Sequence, residues 1–314
     1  MMSSLNKSEN KVSHNILVVG SVGYDTILAP QGKVENVLGG SANYFSLAAS
    51  MFTEVRVVGV VGEDYQDKDL ALLKSRNINL DGLRVEKGET FRWSGSYLED
   101  LNEAVTLKTD LNVLKNFNPE LPVSYKNSDL VFLANIDPVL QMRVLDQIAS
   151  PVLIGLDTMN YWIDSKLNDL KAVLKRVHVL LLNEAEALKL SGEKNIVVAT
   201  QKLTTMGPKT VVVKRGEYGF FMMSEGKFFV LSAFPVSNVV DPTGAGDTFA
   251  GGFFGYLSQC NQPLDFHNLQ QACVHGSVIA SFCVQDFSIG ALDKLSQSKV
   301  ETRKQEYLKI VTLT

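Results

Sequence analysis

The sequence predicts an α/β fold of three layers, with a mainly parallel central sheet and a small inserted β unit. Short, continuous apolar runs alternate along the chain with helical patterns, as expected for parallel strands that helices bury on both faces. Residues 90–98 and 104–109 instead alternate in polarity, which is typical of the two strands of an antiparallel hairpin. One domain over residues 15–314, with the hairpin inserted at about 90–110, accounts for both patterns.

The predicted strands of the central sheet are the apolar runs at residues 16–20, 55–61, 130–135, 152–157, 177–182 and 210–214. In open α/β sheets, ligands bind beyond the carboxyl ends of the strands. Asp25, which follows the first run, and Asn135, which ends the third, are therefore candidate substrate contacts. A turn-forming or capping role explains either residue equally well.

The predicted hairpin supplies a further candidate for substrate binding. Arg92 lies on its first strand and is long enough to reach a ligand held beneath the hairpin. The alternative is an ordinary edge hairpin on which Arg92 is solvated.

The overall composition favours a cytoplasmic enzyme. The chain has 314 residues, of which 45% are hydrophobic, and its formal net charge of −4 argues against nucleic acid or an anionic membrane as a partner. No apolar run reaches membrane-spanning length, and the polar residues 1–14 predict a disordered tail rather than a signal peptide. Cys260, Cys273 and Cys283 lack metal-ligand spacing and are expected to be reduced core residues.

The most informative stretch is a glycine turn that opens a helix. Gly244 and Gly246 flank Ala245, and helical spacing of apolar residues follows, so a helix is predicted to begin near Ala245. Backbone N–H groups at such a helix start lack partners and form an anion site. Asp247 is unusual there, because a carboxylate repels a bound anion; it suits a proton acceptor beside a transferring phosphoryl group. Its alternative role is an ordinary helix cap.

The run Asp-Pro-Thr-Gly-Ala-Gly-Asp-Thr-Phe at residues 241–249 resembles the C-terminal signature of the ribokinase/PfkB carbohydrate kinase family. The resemblance extends over roughly residues 15–290. It implies a ribokinase-like three-layer fold whose β-strand lid covers the substrate, and ATP-dependent phosphoryl transfer to a hydroxyl of a small sugar or related polyol. It makes Asp247 the general base and Gly244–Gly246, including Ala245, the anion hole. Asp241 and Thr243 occupy positions where many members bind a monovalent cation, usually K⁺.

Asn183 and Glu186 have two compatible interpretations. Asn183 precedes a predicted helix and Glu186 follows three residues later, which is the spacing of a capping box. The resembling family has Asn-x-x-Glu at this place, where it serves a water network around Mg²⁺ and phosphate. ATP and Mg²⁺ are therefore the implied cofactors, with K⁺ as an optional third.

The resemblance also assigns binding residues on both sides of the transfer. In the family, an Asp at the position of Asp25 grips sugar hydroxyls and a glycine pair corresponding to Gly39 and Gly40 meets the sugar. The usual Asn of that segment falls at Tyr44. Asn43 lies one residue early and is kept as a candidate substrate contact, and the shift hints at a different polyol. The stretch after the sixth predicted strand lines the ATP site in the family, which implicates Lys214, Arg215, Gly216 and Gly219.

Other functions remain open from the sequence. A nucleoside or cyclitol kinase on the same fold fits the same signature, as does a non-catalytic regulator that binds a sugar or nucleotide. The predicted partner is in each case a small molecule. An exposed lid edge could also pair two chains into a homodimer.

Overall fold

The computed structural model of the chain describes residues 13–98, 101 and 104–312. The predicted tail therefore lies outside the described residues, except for residues 13–14. In chain order the strands are β1 (Ile16–Val19), β2 (Gly23–Ala29), β3 (Gly32–Gly39), β4 (Val55–Gly62), β5 (Ile78–Glu86), β6 (Phe91–Tyr97), β7 (Ala104–Asp110), β8 (Leu130–Leu133), β9 (Leu153–Asp157), β10 (Val179–Asn183), β11 (Thr210–Lys214), β12 (Phe220–Ser224) and β13 (Lys227–Leu231).

The helices cover the large sheet and the C-terminal part of the chain. They are α1 (Ser41–Ala49), α2 (Asp67–Lys74), α3 (Pro138–Leu145), α4 (Asn160–Ser165), α5 (Leu167–Leu174), α6 (Glu184–Ser191), α7 (Ile196–Thr204), α8 (Ala245–Leu257), α9 (Phe266–Cys283), α10 (Gly290–Asp293) and α11 (Gln297–Val311). No helix among the described residues combines the length and the apolar character needed to cross a membrane.

The central sheet has nine strands in the order β13-β12-β11-β10-β9-β8-β1-β4-β5. The pairs from β11 to β5 are parallel, and β12 and β13 add an antiparallel edge. Ile16 and Val18 of β1 face a core shared with α1, α8 and α9, whereas Leu17 and Val19 face a second core shared with α3, α5 and α6. Helices on both faces of a mainly parallel sheet confirm the predicted three-layer fold.

A second, smaller sheet has the strand order β3-β2-β6-β7. The antiparallel pairing of β6 with β7 confirms the predicted hairpin. The prediction missed β2 and β3, which form half of this sheet. Asp25, expected just past the end of the first strand, lies within β2, so its alternative role in a turn is wrong. The exposed polar residues of β3 gave no strand pattern, and β2 is held by parallel pairing with the distant strand β6.

Helix α8 begins at Ala245, as predicted, and packs between α1 and α9. Gly244 precedes it in the left-handed conformation, with a φ of 74°, which an L side chain adopts only with strain. A Cβ atom at Gly244 would lie 2.3 Å from the ring of Tyr44 on α1. The turn is therefore built around a glycine for two separate reasons.

Candidate active site

The carboxyl ends of three neighbouring strands meet the start of α8. Asp157 ends β9, Asn183 ends β10 and Lys214 ends β11. The Lys214 Nζ donates a 2.8 Å hydrogen bond to Asp157 Oδ2. It also lies 3.0 Å from the position that a Cβ atom would take on Gly246. An ammonium group therefore lies directly beside the glycine turn.

The glycine turn leaves N–H groups available at the start of α8. Gly244 has no side chain to cap the helix, and the Ala245 N–H bonds to the carbonyl of Pro242. The next N–H groups of the first turn have no carbonyl partner within the helix, which is a property of every α-helix start. Together with the helix dipole, these groups favour an anion at the turn.

Asp247 lies in this first turn and is partly exposed. Burial raises the pKa of its carboxyl to about 7, and the negative charge of Asp157 adds to the effect. Lys214 and the backbone N–H of Asp247 itself oppose the shift. A carboxyl with a pKa near neutrality can accept a proton from a hydroxyl group more effectively than an ordinary aspartate.

Asn183 and Glu186 form the predicted capping box. The Asn183 N–H donates to Glu186 Oε2 at 2.8 Å, and the Glu186 N–H donates to Asn183 Oδ1 at 2.8 Å. Glu186 is only 7% exposed, and burial raises the pKa of its carboxyl, with the charge of Asp157 contributing. The described residues contain no group of three His, Cys, Asp or Glu side chains arranged to hold a metal ion directly.

Asp25 is buried against the glycine pair Gly39–Gly40, which precedes α1. A Cβ atom on Gly39 would lie 2.1 Å from Asp25 Oδ2, and Gly40 has a φ of 92°. Burial raises the pKa of Asp25 to about 8, the charges of Asp241 and Asp247 raise it further, and a hydrogen bond from Gly40 opposes them. The structure therefore places Asp25 against Gly39 and Gly40 and within reach of the charge of Asp247.

Asn43 lies behind the turn formed by Gly39 and Gly40. It is fully buried, and its Nδ2 donates a 2.7 Å hydrogen bond to the Gly39 carbonyl. In this structure its side chain supports the turn and does not face an open site, so direct contact with substrate would require rearrangement. The adjacent Tyr44 is 1% exposed, and its ring packs against Gly244.

Arg92 and Asn135 are held by neighbouring side chains. Arg92 Nη2 donates to Asp64 Oδ2 at 2.6 Å. Asn135 Oδ1 accepts a 2.8 Å bond from Trp162 Nε1. Neither side chain has a hydrogen bond to Asp25 or Asp247 within the described part of the chain, so both remain predictions as substrate contacts.

Arg215, Gly216 and Gly219 follow β11 at the edge of the site. Arg215 Nε donates to Glu184 Oε2 at 3.0 Å, which directs the guanidinium toward α6. Gly216 and Gly219 both have positive φ, of 55° and 85°, so this connection is a tight glycine turn. Its predicted role beside ATP is a proposal.

Asp241 and Thr243 lie in the segment that directly precedes the turn at Gly244–Gly246. Asp241 is 1% exposed, and its two carboxylate oxygens accept N–H bonds from Thr243 and Ser288 at 2.9 and 3.0 Å. Burial raises the pKa of Asp241. Thr243 Oγ1 donates to the Tyr97 hydroxyl on β6, which connects this segment to the small sheet.

Sequence reasoning did not assign roles to Asp157 and Tyr44. Asp157 ends a predicted strand, and this position alone could have marked it as a site residue. Its partner Lys214 lies 57 residues away, so no local pattern indicates the ion pair. The contact of Tyr44 with Gly244 joins two helices that are distant in the sequence, and no local pattern indicates it.

The raised pKa values of two carboxyls predict that the free protein loses stability as pH rises. Asp25 and Asp247 have pKa values of about 8 and about 7 in the fold, against an ordinary value of 3.8. Between these values the folded chain binds more protons than the unfolded chain, so the free energy of unfolding should fall from about pH 4 to about pH 8. Denaturant titrations across this range test the slope. Asp25→Asn should make it shallower, and an unchanged slope in this variant would contradict the assignment.

The fold is α/β, and the site places the Asp247 carboxyl and the Lys214 ammonium beside a glycine turn at the strand ends. A family model described as pfkB family carbohydrate kinase matches residues 13–294. The chain belongs to this family and is an ATP-dependent carbohydrate or nucleoside kinase. Kinases of the family use ATP and Mg²⁺.

Similar proteins include both nucleoside and sugar kinases. A cytidine kinase of Thermococcus kodakarensis is 28% identical over 257 residues, 80% of this chain and 91% of its own. The nucleoside kinase of Methanocaldococcus jannaschii superposes with a TM-score of 0.74 at 19% identity, over 95% of this chain and all of that one. A putative ribokinase II of E. coli, solved with ATP and Mg²⁺, gives 0.77 at 18% identity, over 93% of this chain and 99% of its own.

Proposed function

We propose that the chain transfers the γ-phosphate of ATP to a hydroxyl of a small sugar or related polyol, with Asp247 as the general base. The observation that carries the proposal is the position of Asp247, in the first turn of α8 beside Gly246 and Lys214. Its raised pKa supports proton abstraction near neutral pH. The backbone of Gly244, Ala245 and Gly246 stabilises charge on the phosphoryl oxygens.

The acidic character of the site fits Mg²⁺ held through water. Glu186 is buried close enough to Asp157 and Asp247 for their charges to raise its pKa. Such a concentration of negative charge favours a divalent cation, and Mg²⁺ usually keeps several of its waters. Asn183 and Glu186 would hold those waters, and the metal would neutralise charge on the phosphates.

Asp241 and Thr243 are the proposed ligands of a monovalent cation. A carboxylate has about four acceptor positions, and the N–H groups of Thr243 and Ser288 use two of those on Asp241. Acceptor capacity therefore remains for K⁺. The raised pKa of Asp241 is consistent with a buried carboxylate that a cation would stabilise.

The acceptor is proposed to lie between the small sheet and Asp247. Asp25, Gly39 and Gly40 orient the acceptor. Further proposed determinants of acceptor binding are Arg92, Asn135 and the turn-supporting Asn43.

The outer strand β7 of the small sheet exposes Val105 and Leu107, at 50% and 61%, and this is the surface that we propose for a homodimer.

A nucleoside acceptor is the second candidate, and the similarity to a cytidine kinase over most of both chains favours it. The test is incubation of the protein with ATP, Mg²⁺ and separate pools of nucleosides, free sugars and cyclitols, followed by mass detection of phosphorylated products. We expect product in one pool. Product from cytidine and not from ribose would select the nucleoside candidate, and no product in any pool would support the non-catalytic regulator.

A further inference from the structure

The ion pair between Asp157 and Lys214 lies beside the turn at Gly244–Gly246, which is the proposed anion hole. We propose that Lys214 is a catalytic cation of the anion hole, in contact with the transferring phosphoryl group, and that Asp157 is the positioning residue that holds it there. The inference deepens the proposed function and rests on it. It assigns a role to Asp157, which neither the sequence motifs nor the family signature indicated.

The Lys214–Asp157 pair is largely buried, so each charge requires the other to compensate for lost hydration. The side chains of Lys214 and Asp157 are only 16% and 7% exposed. An ammonium group at such a position is costly unless a carboxylate and hydrogen bonds compensate for the lost water. The 2.8 Å bond to Asp157 Oδ2 supplies this compensation and fixes the direction of the lysine.

The ammonium retains capacity for a second, anionic partner. A lysine has three N–H donors, and the hydrogen bond found for Lys214 in the described residues goes to Asp157. The residual exposure of its side chain leaves it reachable from the site. A phosphoryl oxygen can therefore bind Lys214 while Asp157 stays in place.

Gly246 places the ammonium against the anion turn. A Cβ atom at this position would lie 3.0 Å from Lys214 Nζ, and 3.6 Å from the adjacent Cε. The glycine therefore leaves open the space beside the turn that a side chain at this position would share with the ammonium. An anion bound by the N–H groups of the turn would meet the lysine at the same time.

The neighbouring charges support this assignment. Lys214 lowers the pKa of both Glu186 and Asp247, so its charge reaches the proposed base. The adjacent Arg215 points elsewhere, because its guanidinium pairs with Glu184 and stacks on Tyr218. Lys214 is thus the better placed of the two cations that follow β11.

The test compares nucleotide binding by Asp157→Asn and by the double variant Lys214→Met/Asp157→Asn. Lys214→Met alone leaves Asp157 unpaired and invites unfolding, whereas the double variant removes both charges. Calorimetry with Mg²⁺ measures Kd for AMP-PNP, which keeps a γ-phosphoryl group, and for ADP, which lacks it. We expect the double variant to bind AMP-PNP about 10-fold more weakly and ADP within about 3-fold, and Asp157→Asn to show a smaller loss in the same direction, since losing one charge-assisted contact has roughly this effect.

A matched control is the exposed pair Lys189–Asp164, at 2.5 Å, replaced in the same way. It should leave both Kd values unchanged. If the double variant keeps the wild-type ratio of the two Kd values with an unchanged unfolding temperature, the role of Lys214 is overturned. If the wild-type protein binds neither nucleotide, the proposed function fails and this role with it.

Discussion

Asp247→Asn is expected to lower turnover by at least ~10²-fold while leaving the protein folded, because an amide cannot accept the proton that the transfer releases. The substitution keeps the size of the side chain, so the turn at Gly244–Gly246 and nucleotide binding should persist. Turnover measured at saturating ATP and acceptor, with the acceptor identified by the pooled assay, gives the comparison.

The stability of Asp247→Asn separates chemistry from folding. Because burial raises the pKa of Asp247, its ionised form is disfavoured in the fold, and the neutral amide should unfold at the same or a higher temperature at pH 8. Asp169→Asn, at an exposed position of α5, is the control and should change neither property. Near-normal turnover in Asp247→Asn would remove the base from the mechanism, and strong destabilisation would make Asp247 a structural residue.

Gly244→Ala is expected to abolish turnover and to destabilise the fold by several kcal/mol. Two costs combine: a left-handed residue other than glycine costs about 1–2 kcal/mol, and forcing an atom into a packed core typically adds about 1–3 kcal/mol. The second cost arises because three ring atoms of Tyr44 lie 2.3–2.4 Å from the new Cβ position. Relief would require movement of α1 or of the anion turn itself.

Gly192→Ala is a closely matched control for this prediction. Gly192 directly follows α6 with a φ of 72°, almost equal to the 74° of Gly244, but a Cβ atom there meets nothing within 4 Å. Its substitution should therefore show the backbone cost alone and leave turnover unchanged. Denaturant unfolding of both variants isolates the contribution of Tyr44. Equal destabilisation would contradict the proposed contact.

The sequence predicted the parts of the fold that local patterns determine. The start of α8 at Ala245, the bounds of β11 and the reciprocal bonds of Asn183 and Glu186 all agree with it, because glycine turns, apolar runs and capping spacings act over a few residues. The family signature at residues 241–249 fixed the class of enzyme for a similar reason. It is short, contiguous and rich in residues with special backbone requirements.

The contacts that the sequence could not predict are long-range. Strand β2 depends on β6, and its burial does not follow from an apolar run of its own. The partner of Lys214 lies 57 residues away, and the sequence offered Arg215 as an equal candidate for phosphate. Asn43 was predicted to face substrate because of its position in a motif, whereas packing directs its amide to the Gly39 carbonyl.

The location of Asp25 in β2 has a consequence for how the two halves of the site cooperate. This aspartate is carried by the small sheet, whereas Asp247 is anchored in α8 above the large one. The residue proposed to align the acceptor and the proposed base therefore belong to different structural units. A hinge-like movement of the small sheet relative to the large sheet would change the distance between Asp25 and Asp247. The alignment of an acceptor hydroxyl would therefore depend on closure of the small sheet over the site.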